Sequence, residues 1–329
     1  MKNMFKKIAI YFIAAMLIGL VGIFSYHRYQ LSRESELLDT KGTLVEVDHQ
    51  KINVYTEGDG QDTYVFMAGS GIAAPIYEMK GLYSKFSQGQ KIAVIERAGY
   101  GYSDVSKDER DIDTILAQTR EALLKSGNKP PYILVPHSIS GVEAIYWAQK
   151  YPEEIKGIIA LDIGLPGQYV EHKMGVVDLW TVKGMNLLTK IGLQRLIPSK
   201  VYNSEVMKQS FLTAEEKEIY KALSFKQTFN DDMKNELLQV YENSLKSEEL
   251  PKPKDTPILL IDAIAQQNKD SKFTNYHSQK YEEFAEQINI ADVKELSGTH
   301  SIYLYKPDEI YNLAIEFMKT KVGNKERPR

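Results

Sequence analysis

The stretch Pro131–Gly141, PYILVPHSISG, decides the fold. Tyr132 to Val135 is a short, continuous apolar run of the kind that a buried parallel strand carries. After it, Val142, Ala144, Ile145 and Ala148 recur at helical spacing. Ser138 sits between the two, at a sharp turn flanked by Pro136 on one side and Ser140-Gly141 on the other. Bulky side chains two residues either side of so tight a turn would strike the strand or the helix. In return the serine hydroxyl points out over the sheet, and the N–H of Ile139 lies near a helix N-terminus, where it can stabilise a developing oxyanion. Ser138 is therefore a candidate nucleophile.

Outward from this turn, apolar strands alternate with helices. Thr43–Asp48 and Lys51–Tyr55 alternate apolar and polar residues around His49-Gln50, which predicts a hairpin with one solvated face. Thr63–Met67 and Lys91–Ile95 read as buried strands, separated by a helix over Pro75–Phe86. A helix from Asp111 to Lys125 follows, stopped by Gly127. Beyond Ser138 comes a strand ending in Asp162, then about ninety helix-like residues. The strand pattern resumes at Thr256–Asp262, followed by a helix near Ser271–Ala285, a strand near Val293–Leu296 and a helix from Pro307 to Lys319. Strands spaced by helices of this length predict βαβ units and a mainly parallel sheet. The expected divisions are a core over 42–163 and 255–322, with a helical cap over 164–254 inserted after the sixth strand.

The N-terminus has its own character. Ile8 to Tyr26 holds no charged residue, and nineteen residues at about 1.5 Å each span roughly 28 Å, close to bilayer thickness. No A-x-A-like cleavage site follows, which favours an uncleaved membrane anchor over residues 1–26 rather than a signal peptide and a secreted chain. Lys2, Lys6 and Lys7 place the N-terminus in the cytoplasm and the body outside it. Residues 27–41 read as a polar stalk.

Composition narrows the chemistry. The first thirty residues contain four bases and no acid; 41 less these four leaves 37 bases against 44 acids, a balance of −7. That argues against nucleic acid as a partner. The chain has no cysteine, which removes thiolate catalysis, disulfides and cysteine metal sites. Gly99-Tyr-Gly101 lacks the third glycine of a dinucleotide site, and no His-Glu-x-x-His points to a metal. No cofactor is expected.

Four motifs in order resemble the α/β-hydrolase fold family over about residues 43–321. Ala68-Gly-Ser-Gly71 stands where the family carries His-Gly, and Glu96-Arg-Ala-Gly-Tyr-Gly-Tyr-Ser103 resembles its Asp-Arg-x-Gly-x-Gly-x-Ser. His137-Ser138 is the nucleophile elbow, with Pro136 and Ser140 replacing the glycines of G-x-S-x-G. Gly298-Thr-His300, followed by Pro307, resembles the terminal Gly-x-His. The resemblance implies an eight-stranded sheet and a Ser…Asp…His triad with Ser138 as nucleophile and His300 as base. Asp162, placed as in pancreatic-type lipases, is the first choice of acid, Asp270 the alternative, and Asp262 stands behind both. The oxyanion hole would combine the N–H groups of Ile139 and Ser70. The activity implied is cleavage of a small ester or amide, with esterase or lipase chemistry ahead of an aminopeptidase. Acyl transfer by the same triad and a catalytically silent binding module at the cell surface are the alternatives.

Overall fold

The computed structural model describes residues 2–106, 108–265 and 271–322. Its centre is one eight-stranded sheet in the order β1-β2-β4-β3-β5-β6-β7-β8. Strands β1 (Thr43–Val47) and β2 (Gln50–Glu57) form the expected hairpin, and β2 runs antiparallel to β4 (Lys91–Glu96). The other neighbours are parallel: β3 (Thr63–Met67), β5 (Tyr132–Pro136), β6 (Ile155–Leu161), β7 (Ile258–Ile264) and β8 (Ala291–Ser297).

Every residue of β3 and β5 is buried, so their runs are apolar throughout rather than alternating. The strand pleat still sorts them. Tyr64, Phe66, Ile133 and Val135 join one apolar layer with Tyr83 and Phe86, while Val65, Met67, Tyr132 and Leu134 join the other with Trp147. Helices cover both faces: α2 (Pro75–Glu78), α3 (Lys80–Phe86), α4 (Ile112–Lys125), α5 (Ser140–Lys150), α11 (Lys272–Ala285) and α12 (Pro307–Phe317). The helix expected over Pro75–Phe86 is two helices that meet at Met79. Asp111 caps α4 rather than starting it, accepting from the N–H groups of Asp113 and Thr114.

Between β6 and β7 the chain forms α6 (Pro166–Glu171), α7 (Val176–Ile191), α8 (Ser204–Lys208), α9 (Ala214–Gln227) and α10 (Asp231–Glu248). Ion pairs and hydrogen bonds seat α10 on the sheet loops. Arg97 grips the Glu236 carboxylate through Nε at 3.2 Å and Nη2 at 3.1 Å, and Asn243 accepts from the Ile112 N–H at 2.8 Å. The N-terminal helix α1 runs from Lys2 to Ser35 without a break. The segment expected as a polar stalk is thus helical to Ser35, and it packs against α7 and α9 instead of standing free.

At the end of β4, Glu96 lies fully buried and accepts from Asn53 Nδ2 at 2.9 Å and the Tyr102 N–H at 2.8 Å. Gly101, at φ +51°, is the only residue type that fits beside it, because a Cβ there would come within 1.9 Å of the carboxyl. Burial lifts the Glu96 pKa from 4.5 to about 7, against the pull of its donors. An acid whose pKa is higher folded than unfolded binds its proton more tightly in the folded chain. Stability therefore falls as pH rises from about 4.5 to about 7, by about 3 kcal/mol. Thermal unfolding of Glu96→Gln should lose this slope and gain on the wild type above neutrality. Parallel pH profiles for the two chains would refute the assignment.

Candidate active site

Ser138 stands at the crest of the β5–α5 turn with φ +57°, a left-handed conformation that costs a non-glycine residue roughly 1–2 kcal/mol. The replaced glycine of the elbow has a visible reason. Ser140 turns its hydroxyl back into the turn, 2.8 Å from the carbonyl oxygens of Met67 and His137, and accepts the His137 N–H at 2.9 Å. The hydroxyl thus adds a second partner to backbone groups that already pair within the turn, the His137 N–H with the Met67 carbonyl at 3.0 Å and the Ser140 N–H with the His137 carbonyl at 3.3 Å. Gly141 takes the tight place, since a Cβ there would lie 2.5 Å from Ile163 Cβ.

Asp162 follows β6 directly and is also left-handed, at φ +46°. Its Oδ2 lies 2.6 Å from His300 Nδ1, and its Oδ1 accepts the Ala263 N–H at 3.0 Å. His277 of α11 approaches the same Oδ1 at 3.4 Å through Nε2. The tautomer of His277 follows from its other side. Gln168 of α6 accepts the Leu165 N–H on Oε1, so its Nε2 donates to His277 Nδ1 at 2.9 Å and leaves the ring proton on Nε2. Burial alone would raise the Asp162 pKa. The donors from His277 and His300 outweigh it and hold the carboxyl well below its ordinary range. Asp162 therefore stays ionised at neutral pH.

His137, beside the candidate nucleophile, is buried. Its Nε2 donates to the backbone carbonyl of His300 at 2.9 Å, and the two rings lie 4.6 Å apart. Burial and the neighbouring His300 push its pKa down to about 3, so it remains neutral and tethers His300 without competing as the base. Gly69 reaches under the turn, where a Cβ would meet Ser138 Cβ at 2.7 Å. Arg97 supports this loop by donating to the Ala68 carbonyl at 2.9 Å. The N–H groups of Ser70 and Ile139 have no backbone acceptor among the described residues.

Ser138, Asp162 and His300 line one cavity of about 430 Å³, walled by Tyr169, Met174, Leu237, Val240, Tyr241 and Phe273. His300 bonds Asp162 through Nδ1, and no hydrogen bond joins Ser138 Oγ to His300. Ser70 lines an adjoining polar cavity with Glu78, His137 and Tyr303, and His300 borders both cavities.

A family model described as alpha/beta hydrolase fold matches residues 68–188, from the loop after β3 into α7. The chain is 63% identical over 322 residues to "Uncharacterized protein YbdG" of Bacillus subtilis (strain 168), covering 97% of this chain and 99% of that one. The chain belongs to the α/β-hydrolase fold family. The epoxide hydrolase VrEH1 of Vigna radiata shares the architecture at 18% identity and TM-score 0.64, over 85% of this chain and 98% of that one. So does the enol-lactonase of Burkholderia xenovorans LB400, at 14% identity and TM-score 0.57, over 84% and 100%.

Within this α/β-hydrolase chain the sequence-derived residues separate clearly. Ser138, Asp162 and His300 come together, whereas Asp270 lies outside the described residues. Asp262, expected at the end of the seventh strand, is inside it because β7 continues to Ile264, and it accepts from Ser278 Oγ at 2.5 Å. Tyr303 lines the polar cavity. Tyr100 and Tyr102 are buried, bonding Glu236 and Tyr77 respectively. His277 and Gln168 were not singled out from sequence, because neither lies in a motif and they meet across 109 residues. Among the described residues, Asp162, Asp262 and His277 bring three potential metal-ligand atoms within 4.8 Å. Much of that set is already engaged by His300, Ala263, Ser278 and Gln168.

Proposed function

We propose that this chain is a membrane-anchored serine hydrolase that cleaves a small ester, or less readily an amide, through an acyl-enzyme on Ser138. The observation that carries the reading is the left-handed Ser138 sharing a cavity with His300, whose Nδ1 sits 2.6 Å from the ionised Asp162. Ser138 Oγ attacks the substrate carbonyl carbon while His300 Nε2 takes the hydroxyl proton. Asp162 holds the ring with its proton on Nδ1 and stabilises the imidazolium that forms. The N–H of Ile139, with that of Ser70, would receive the oxyanion; each such donor contributes about 3 kcal/mol. The leaving alcohol or amine departs with the proton from His300. Water, deprotonated by the same ring, then releases the acid.

The apolar wall of the cavity favours an acyl chain over a charged group, which puts esterase or lipase chemistry ahead of aminopeptidase chemistry. Helices α6–α10 serve as a cap over it, and the apolar part of α1 serves as the anchor, with the body outside the cytoplasm. A fluorophosphonate probe applied to the full-length protein in membranes should form a single adduct on the peptide bearing Ser138. A folded chain that stays unlabelled would overturn hydrolysis at this serine.

A further inference from the structure

Helix α7 is built inside out. Its inner side carries Asn186 and Thr189, which donate to the Phe229 carbonyl at 2.9 and 3.3 Å. Its outer side carries Val176, Val177, Trp180, Leu187 and Leu188, with Val177 77% and Trp180 70% exposed. At about 3.6 residues per turn these five fall on one arc, bordered by Lys183 and Lys190. Leu196 and Ile197, also exposed, extend the patch beyond the helix. An apolar face of this size with a cationic border is the signature of a helix that lies on a membrane.

The position of α1 identifies the covering. Its apolar run is not free over its whole length, since Leu20 and Ile23 are half-buried. One turn later His27 is buried, lies against Gly192 at the end of α7, and accepts from Arg195 Nε at 3.1 Å. Arg195 also grips Glu34 through both terminal nitrogens, at 2.5 and 2.6 Å. Packing on the body therefore begins within the run that enters lipid, and it sets the C-terminal end of α7 at that depth. The other end of α7 leads to the cavity. Met174, two residues before it, and Phe273, 76% exposed, both line the space that holds Ser138.

We propose that α7, with Leu196 and Ile197, lies in the interface of the same bilayer that holds α1, and that the Ser138 cavity draws acyl-chain esters from that bilayer. The first half rests on the reading of α1 as a membrane anchor, and the second also on the serine hydrolase reading.

The chain has two tryptophans, and Trp147 is fully buried, so Trp180 reports on the face directly. Full-length protein would be reconstituted in phosphatidylcholine–phosphatidylglycerol vesicles, with ordinary or brominated acyl chains. The fluorescence lost in Trp180→Phe is the component to follow. Quenching of that component by brominated lipid, with protection from aqueous iodide, is expected. Quenching by iodide alone would overturn the proposal and place the face in water. Quenching by neither would overturn it in favour of a second protein copy. In a second arm, the Val177→Asp/Leu188→Asp protein should lose about tenfold activity on a long-chain ester held in vesicles, with none lost on a soluble short-chain ester. Equal loss on both would overturn membrane delivery. Lipid quenching with neither ester cleaved by the wild type would leave the membrane face standing and refute the hydrolase reading.

Discussion

Replacing Ser138 with Ala is expected to lower kcat toward a soluble ester by about 10⁶-fold, the scale on which loss of one triad member removes the whole unit. The reason is cooperative. His300 and Asp162 remain in place, but a base without its nucleophile can only activate water that the cavity was not shaped to hold. Alanine at φ +57° keeps the strain of the native turn, so the variant should fold as the wild type does. Ser138→Gly, which relieves that strain, provides the control for folding and should be equally inactive. Hydrolysis falling by less than tenfold in both, with circular dichroism unchanged, would move the nucleophile elsewhere.

The second large effect concerns the acid. In Asp162→Asn the side-chain oxygen would remain with the Ala263 N–H, which donates to Oδ1 on the side that the proton-bearing His277 Nε2 approaches at 3.4 Å. The new amide nitrogen would then face His300 Nδ1, the position of Oδ2. A donor there forces the His300 proton onto Nε2, the atom that must accept the proton of Ser138. A fall in kcat of about 10⁴-fold is expected from this wrong tautomer, with KM for a short ester little changed. If Asp162→Asn kept more than a tenth of wild-type turnover, another carboxylate would have to be the acid.

Much of the fold was legible because the physics behind it is local. The apolar runs of β3, β4 and β5, the alternation of β1 and β2, and the Gly127 stop after α4 each depend on neighbours a few residues away. The Ser138 turn could be read for the same reason, although the role of Ser140 could not. Its value lies in reaching the carbonyl of Met67, on a strand that the sequence does not show to be adjacent. The carboxylate that meets His300 was legible only as a ranking, since Asp162 and Asp262 both stand near the ends of neighbouring strands and only geometry separates them. His277 left no trace at all. A histidine on a polar helix becomes informative once α6 and β6 are folded against it. The polar segment after Tyr26 looked like a stalk because its charges are visible in sequence, whereas Arg195, which pairs with Glu34, and Glu216, which pairs with Lys41, stand far along the chain.

The bond from His137 to the His300 carbonyl makes the residue beside Ser138 a holder of the His300 backbone. His300 is thereby held at two points, its backbone carbonyl by His137 and its ring Nδ1 by Asp162. Tolerances elsewhere loosen as a result. The path that brings the chain from β8 to His300 is then expected to tolerate changes of composition as long as these two bonds are kept. Loops around such a clasp could be rebuilt by an engineer while the His300 ring stays where it is.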